Sequence, residues 1–185
     1  MKVRKTMKEN LLTKTEEKNN ILYRVCLDFP EKGVKFIDLT PSIINEKTRM
    51  KLLSILTNYI ENEVGDIDAI ICPDARGFIW GTGVATLMNC SLIPVRKTGK
   101  LPLNCIDSTI EYDTEYSKTS LALPLCSIKG QRIMFVDDVY ATGGTYRACK
   151  KLVELSGGTL VGGAVIYNVG IEDNPEIFSL SNGDL

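Results

Sequence analysis

A chain of 185 residues, 44% hydrophobic and 24% charged, is long enough to bury one sizeable core and short enough to be one ordinary domain. Its 22 basic and 23 acidic residues leave a net charge of −1, which excludes a nucleic-acid surface built on bulk positive charge; any bound anion must be held by local groups. The absence of histidine excludes histidine triads and zinc–histidine sites, and six scattered cysteines without a Cys-x-x-Cys pair read as reduced thiols of a cytoplasmic protein.

Residues 1 to about 15 are polar and lysine-rich and are expected to form a disordered basic N-terminus, leaving 16–185 as a single domain. That first segment has no signal-peptide core, and no apolar run is long enough to span a bilayer, so no membrane partner is expected. A short helix is predicted from Glu16 to Leu27, with Ile21, Leu22 and Val25 facing the core, ended by Pro30 and Gly33. The next helix runs from about Asn45, as N-cap, to Val64, with Met50, Leu53, Leu56, Ile60 and Val64 on one stripe. Ile67 to Cys72 reads as a buried strand, followed by helix Phe78 to Met88 and strand Leu92 to Val95. A mixed-polar segment from about Lys97 to Ser120 follows; a connection of that length is either functional or a surface excursion. Strand Ile133 to Val136, helix Tyr146 to Leu155 and strand Leu160 to Val169 complete the alternation. It implies an α/β fold, a mostly parallel sheet flanked by helices.

The densest information lies in residues 132–145, where an apolar strand runs into Asp137 and Asp138 and then into Ala141-Thr142-Gly143-Gly144-Thr145 at the head of a helix. In open α/β sheets ligands bind beyond the carboxyl ends of the strands. Glycines let backbone N–H groups crowd an anion, two threonine hydroxyls add donors, and the helix presents its positive end. Two adjacent carboxylates beside a phosphate cradle suit sugar hydroxyls and Mg²⁺, because like charges crowd a polyphosphate only with a cation or a sugar between them. The bare pattern is equally compatible with a β-turn-α connection whose acids are solvated.

The whole string resembles the phosphoribosyl-pyrophosphate (PRPP) motif of type I phosphoribosyltransferases, and its Ala-Thr-Gly-Gly-Thr ending is similar to the adenine branch of that family. Three further segments agree in order: Asp28 to Asp38 resembles the family's N-terminal purine-side segment, Asp74-Ala75-Arg76-Gly77-Phe78 its pyrophosphate loop, and Pro94 to Pro102 its basic segment. The resemblance covers about residues 20 to 170. It implies the type I fold, with a small N-terminal hood and a mobile lid loop at about 97–120, and transfer of a ribose 5-phosphate from PRPP to a purine, releasing pyrophosphate and a nucleoside monophosphate.

By the same resemblance, Ala141 to Thr145 hold the 5-phosphate and Asp137 and Asp138 the ribose hydroxyls, directly or through Mg²⁺ held mainly by substrate. Arg76 is the pyrophosphate arginine, and a cis peptide is expected at Asp74–Ala75. Arg96, Lys97 and Lys100 approach pyrophosphate, in this family partly from a neighbouring subunit, which implies a homodimer. Glu115 is the general acid/base on the lid, although Glu111-Tyr112 repeats the Glu115-Tyr116 dipeptide and leaves the register open. Lys35, Phe36 and Ile37 fall on the base-binding segment, with Ile37 where the family carries arginine. Adenine is the leading base. Guanine, hypoxanthine or xanthine is the alternative within the class, and a non-catalytic PRPP sensor the alternative outside it. Arg76, Lys100 and Glu115 argue against a sensor, which needs only the PRPP motif.

Overall fold

The computed structural model describes residues 15–18, 20–113 and 118–183. Residues up to Arg49 and residues from Met50 onward form two compact units.

The first unit is a three-stranded antiparallel sheet in the order β1 (Thr15–Lys18), β2 (Ile21–Leu27), β3 (Lys35–Asp38), followed by the short helix α1 (Thr40–Ile44). The helix expected over Glu16 to Leu27 is therefore two strands. Ile21 and Tyr23 are buried while Leu22 and Arg24 are half-exposed, a period of two that the spacing of Ile21, Leu22 and Val25 concealed. Asn20, in the left-handed region at φ 65°, turns the chain between the strands. Pro41 opens α1, and Ser42 fastens it to β2: its hydroxyl donates to the Leu22 carbonyl at 2.7 Å and accepts the Leu22 N–H at 2.9 Å.

Helix α2 (Glu46–Tyr59) starts where the sequence placed its cap, with the Thr48 N–H on Asn45 Oδ1 at 2.9 Å. Its last turn loosens into a π-helical turn, Ile60–Val64. Leu52, Leu53, Leu56 and Ile60 make the buried face, whereas Met50 is 49% exposed.

The second unit is built on a seven-stranded sheet. Its elements in chain order are β4 (Ala69–Pro73), α3 (Gly77–Met88), β5 (Ser91–Lys97), β6 (Ile106–Asp113), β7 (Lys118–Pro124), β8 (Arg132–Tyr140), α4 (Gly144–Leu155), β9 (Thr159–Asn168) and β10 (Ile177–Asn182). The strand order is β10-β9-β8-β4-β5-β7-β6, parallel from β10 to β5, with β7 antiparallel to both β5 and β6. Every residue of β4 is buried because helices cover both of its faces. Ile70 and Cys72 face Gly81 of α3, while Ala69 and Ile71 share a core cluster with Tyr146, Cys149 and Leu152 of α4.

The segment expected as a long connection over 97–120 is largely a hairpin of β6 and β7. Its signal is an alternation in which Asp107, Thr109 and Glu111 are exposed and Ile106, Ser108, Ile110 and Tyr112 are partly covered. Ile110 and Tyr112 pack on the core cluster. Strand β10 lies beyond the last element expected from sequence and pairs with β9.

Candidate active site

β8 carries the unbroken apolar run Ile133 to Val136 through the middle of the sheet and continues to Tyr140, so Asp137 and Asp138 sit within its last turns of pleat, short of its end. Alternation puts neighbouring side chains on opposite faces, yet Asp137 Oδ1 accepts the Asp138 N–H at 2.8 Å and Asp138 Oδ1 accepts the Val139 N–H at 2.8 Å, so each acid also fixes local backbone. Burial pushes both carboxyls above the ordinary aspartate range. The charge of Asp138 adds to the rise at Asp137, and the guanidinium of Arg76 opposes it at Asp138.

After Tyr140 the chain bends through Ala141 and Thr142, and Gly143, at φ 72°, precedes the first residue of α4. That left-handed conformation is strained for residues with a side chain and turns the backbone so that α4 begins at Gly144. Ala141 to Thr145, with Asp137, Val139 and Tyr140, line a cavity of about 180 Å³. All five residues expected to hold a 5-phosphate therefore border one cavity together with Asp137. The Tyr112 hydroxyl reaches the Thr145 hydroxyl at 3.3 Å, a link from the β6–β7 hairpin to this loop.

Arg76 ends the turn between β4 and α3, and its Nε is 2.8 Å from Asp138 Oδ2. The guanidinium is 39% exposed while the carboxylate is 3% exposed, so the pair presents a positive face outward over a buried acid. Asp74–Ala75 in the same turn is cis, as the resemblance implied. Gly77 lets α3 start against the acids: a Cβ there would stand 2.9 Å from Asp137 Oδ1. Asp74 orients the end of β5, with its Oδ2 3.8 Å from Arg96 Nε and 3.3 Å from the Lys97 N–H. The Lys97 and Lys100 side chains are exposed in the turn that follows, which is closed by the Lys100 N–H on the Lys97 carbonyl at 3.1 Å.

The base-binding segment belongs to the first unit. Lys35 is exposed, Phe36 is half-buried, and Ile37 is 3% exposed in that unit's core. Phe36 meets Phe29 edge-to-face at 5.1 Å, and both line a pocket of about 390 Å³ with Cys26, Leu27, Asp28 and Asp38. Glu115 lies outside the described residues. Its rival Glu111 is exposed on β6, opposite Ser120.

Sequence reasoning missed the cluster behind the phosphate loop. Tyr140 donates its hydroxyl to Glu172 at 3.2 Å, and Arg147 reaches both Glu172 and the Thr142 carbonyl at 2.7 Å. No local sequence signal pointed to it, because Glu172 is 25 residues from Arg147 and arrives through the β9–β10 connection.

Residues 44–184 match the family model described as a phosphoribosyl transferase domain. The chain is 44% identical over 136 residues to the adenine phosphoribosyltransferase of Petrotoga mobilis, covering 73% of this chain and 76% of that one. It is 40% identical over 149 residues to that of Caldicellulosiruptor saccharolyticus, covering 80% and 82%. Among solved structures, the adenine phosphoribosyltransferase of Thermoanaerobacter pseudethanolicus aligns with a TM-score of 0.79 at 35% identity over 86% of this chain and 95% of that one. The Saccharomyces cerevisiae enzyme, crystallised with an imino-altritol bisphosphate and adenine, gives 0.79 at 28% identity, over 86% and 94%. The chain belongs to the phosphoribosyltransferase family and has its type I fold. The relatives named within that family are adenine phosphoribosyltransferases.

Proposed function

We propose that this protein is a purine-salvage pentosyl transferase that converts adenine and PRPP to AMP and pyrophosphate. The observation that carries the reading is the joining of Asp137 and Ala141 to Thr145 around one cavity, with Arg76 paired to Asp138, in a chain 44% identical to an adenine phosphoribosyltransferase.

In the reaction the C1′–O bond to pyrophosphate breaks with its electron pair on the leaving group, the base nitrogen bonds to C1′, and the base gives up one proton. The N–H groups of Ala141 to Thr145 and the threonine hydroxyls bind the 5-phosphate, which α4 attracts with its positive end. Asp137 and Asp138 accept from the ribose hydroxyls. Arg76 swings from Asp138 to the pyrophosphate, where a planar guanidinium can bind two oxygens at once. Arg96, Lys97 and Lys100 add charge on the exposed side, and a homodimer would let a neighbouring copy contribute some of it. Glu115 takes the proton at the purine, while the β6–β7 hairpin excludes water.

The donor set fits Mg²⁺. Asp137 borders the cavity and Asp138 follows it on the same strand, and Mg²⁺ is commonly held by one or two carboxylates plus substrate oxygens and water. When bound, the ion neutralises charge developing on pyrophosphate.

The pocket lined by Phe29 and Phe36 supports the base assignment, being apolar, aromatic and within the size range of small-molecule sites. Burial of the Ile37 side chain leaves base reading to the backbone of that segment. The six cysteines of the chain fit a cytoplasmic location.

The test is pyrophosphate release from PRPP and Mg²⁺ with adenine, guanine, hypoxanthine, xanthine and uracil offered separately. Release with adenine is expected. Release only with another base would move specificity elsewhere, and no release with any of them would refute the transferase reading.

A further inference from the structure

The phosphate loop is gripped from outside its cavity by groups that the reaction does not use. Arg147, one turn into α4, donates from Nη2 to the Thr142 carbonyl at 2.7 Å and from Nη1 to both Glu172 oxygens at 2.7 Å. Glu172 also accepts from the Tyr140 hydroxyl at 3.2 Å, and Asn174 Nδ2 donates to that hydroxyl at 3.2 Å. Tyr140 is 3% exposed and forms part of the cavity wall. A Cβ on Gly143 would stand 2.7 Å from Arg147 Nη1, so the guanidinium lies directly against the loop backbone.

A trans peptide points its carbonyl and its N–H in opposite directions. Holding the Thr142 carbonyl on Arg147 therefore aims the Gly143 N–H away from Arg147. Rotating the Thr142–Gly143 peptide would exchange that donor for an acceptor, and an acceptor repels a phosphate. Glycine at 143 makes such a rotation easy, so the donor orientation needs a lock. Glu172 supplies the counter-charge that keeps Arg147 on the loop, with its own position set by Tyr140.

We propose that Arg147, held by Glu172, is a positioning residue for the 5-phosphate, locking the Thr142–Gly143 peptide with its N–H available to the anion. This rests on the assignment of Ala141 to Thr145 as the 5-phosphate loop. The molecule contains its own comparison: Lys150 Nζ binds Glu176 Oε1 at 2.7 Å and Oε2 at 2.8 Å, tying the same connection to α4 one turn further on through a carboxylate that also accepts from the Tyr146 hydroxyl at 2.8 Å, with no hydrogen bond to the loop backbone.

The experiment is calorimetric titration of the full chain with ribose 5-phosphate and with pyrophosphate, together with steady-state KM and kcat for PRPP. Arg147→Ala is expected to weaken ribose 5-phosphate about tenfold, the size of one lost hydrogen bond, with pyrophosphate affinity within about twofold of wild type. KM for PRPP rises while kcat changes little, and Arg147→Lys recovers part of the loss. Lys150→Ala lowers the melting temperature and leaves both affinities unchanged. Glu172→Gln, which keeps Arg147 and the loop sequence intact, weakens ribose 5-phosphate selectively even if Arg147→Ala fails to fold. Equal weakening of both ligands, or a lower melting temperature with unchanged ribose 5-phosphate affinity, overturns the proposal. Thr145→Val separates the two levels. Unchanged ribose 5-phosphate affinity there refutes the loop assignment itself, whereas weakening there without weakening in Arg147→Ala refutes only the role of Arg147.

Discussion

Replacing Asp137 by asparagine is expected to make the ligand-free protein more stable and nearly inactive. Asparagine keeps the oxygen that accepts the Asp138 N–H at 2.8 Å, so the strand geometry is retained while one of two neighbouring charges is removed. Two unit charges ~4 Å apart at an effective dielectric of ~20 repel by about 4 kcal/mol. The Arg76 ion pair on Asp138, at 2.8 Å, and the partial solvent access of Asp137 cancel most of that. About 1–2 kcal/mol remains, or roughly 3–6 °C in melting temperature for a chain of this size. Both folded carboxyls lie above the ordinary 3.8, so the folded state holds extra protons, and wild-type stability falls as pH rises from 3.8 through the folded values. The variant's advantage is therefore full above that window and fades as pH drops through it. Thermal melts of both proteins at about pH 7.5 and about pH 4.5 measure this, and the difference between them is the quantity of interest. Turnover falls about 10- to 100-fold through loss of a charged hydrogen bond to the ribose. A variant less stable than wild type at neutral pH, or a gain that does not change with pH, would refute the charge argument.

Gly81→Ala is expected to destabilise by about 1–3 kcal/mol without touching the site, because overpacking cannot relax cheaply in a dense interior. The new Cβ would lie 2.6 Å from Cys72 Cβ and 2.7 Å from its sulfur where α3 crosses β4; denaturant melts check this, and an unchanged midpoint would show that the helix can lift. Iodoacetamide labelling of the native protein is expected to mark exposed Cys105 and to spare Cys72 and Cys149, since burial pushes the Cys72 thiol up to about 12 and the Cys149 thiol well above its usual value. Mass mapping reads the order, and early labelling of Cys149 would contradict it. Glu115→Ala is expected to lower turnover by about 10²–10⁴-fold and Glu111→Ala by far less, as general acid–base groups contribute on that scale; the reverse ranking would assign the proton to Glu111.

The chain by itself determined the strands β4, β5, β8 and β9 and the segment at the centre of the candidate site. An unbroken apolar strand, two acids, two glycines and the head of a helix within fourteen residues leave the backbone few options, since each feature is local: the apolar run demands burial on both faces, and the glycines permit the tight turn into the helix. The capping of α2 by Asn45 and the position of α3 were legible for the same reason. Local pattern failed at Ile21 to Leu27, where three apolar residues suit either period and pairing with β3 decides for strand. It failed again over 106–124, where half-covered alternating residues look like polar loop until β5 and α4 supply the surface against which they fold. The joining of Arg76 to Asp138, of Tyr112 to Thr145, and of Arg147 to Thr142 and Glu172 belongs to tertiary structure alone. Except for Arg147 and Thr142, five residues apart, the partners are tens of residues apart, and their hydrogen bonds exist only because the sheet brings distant segments together.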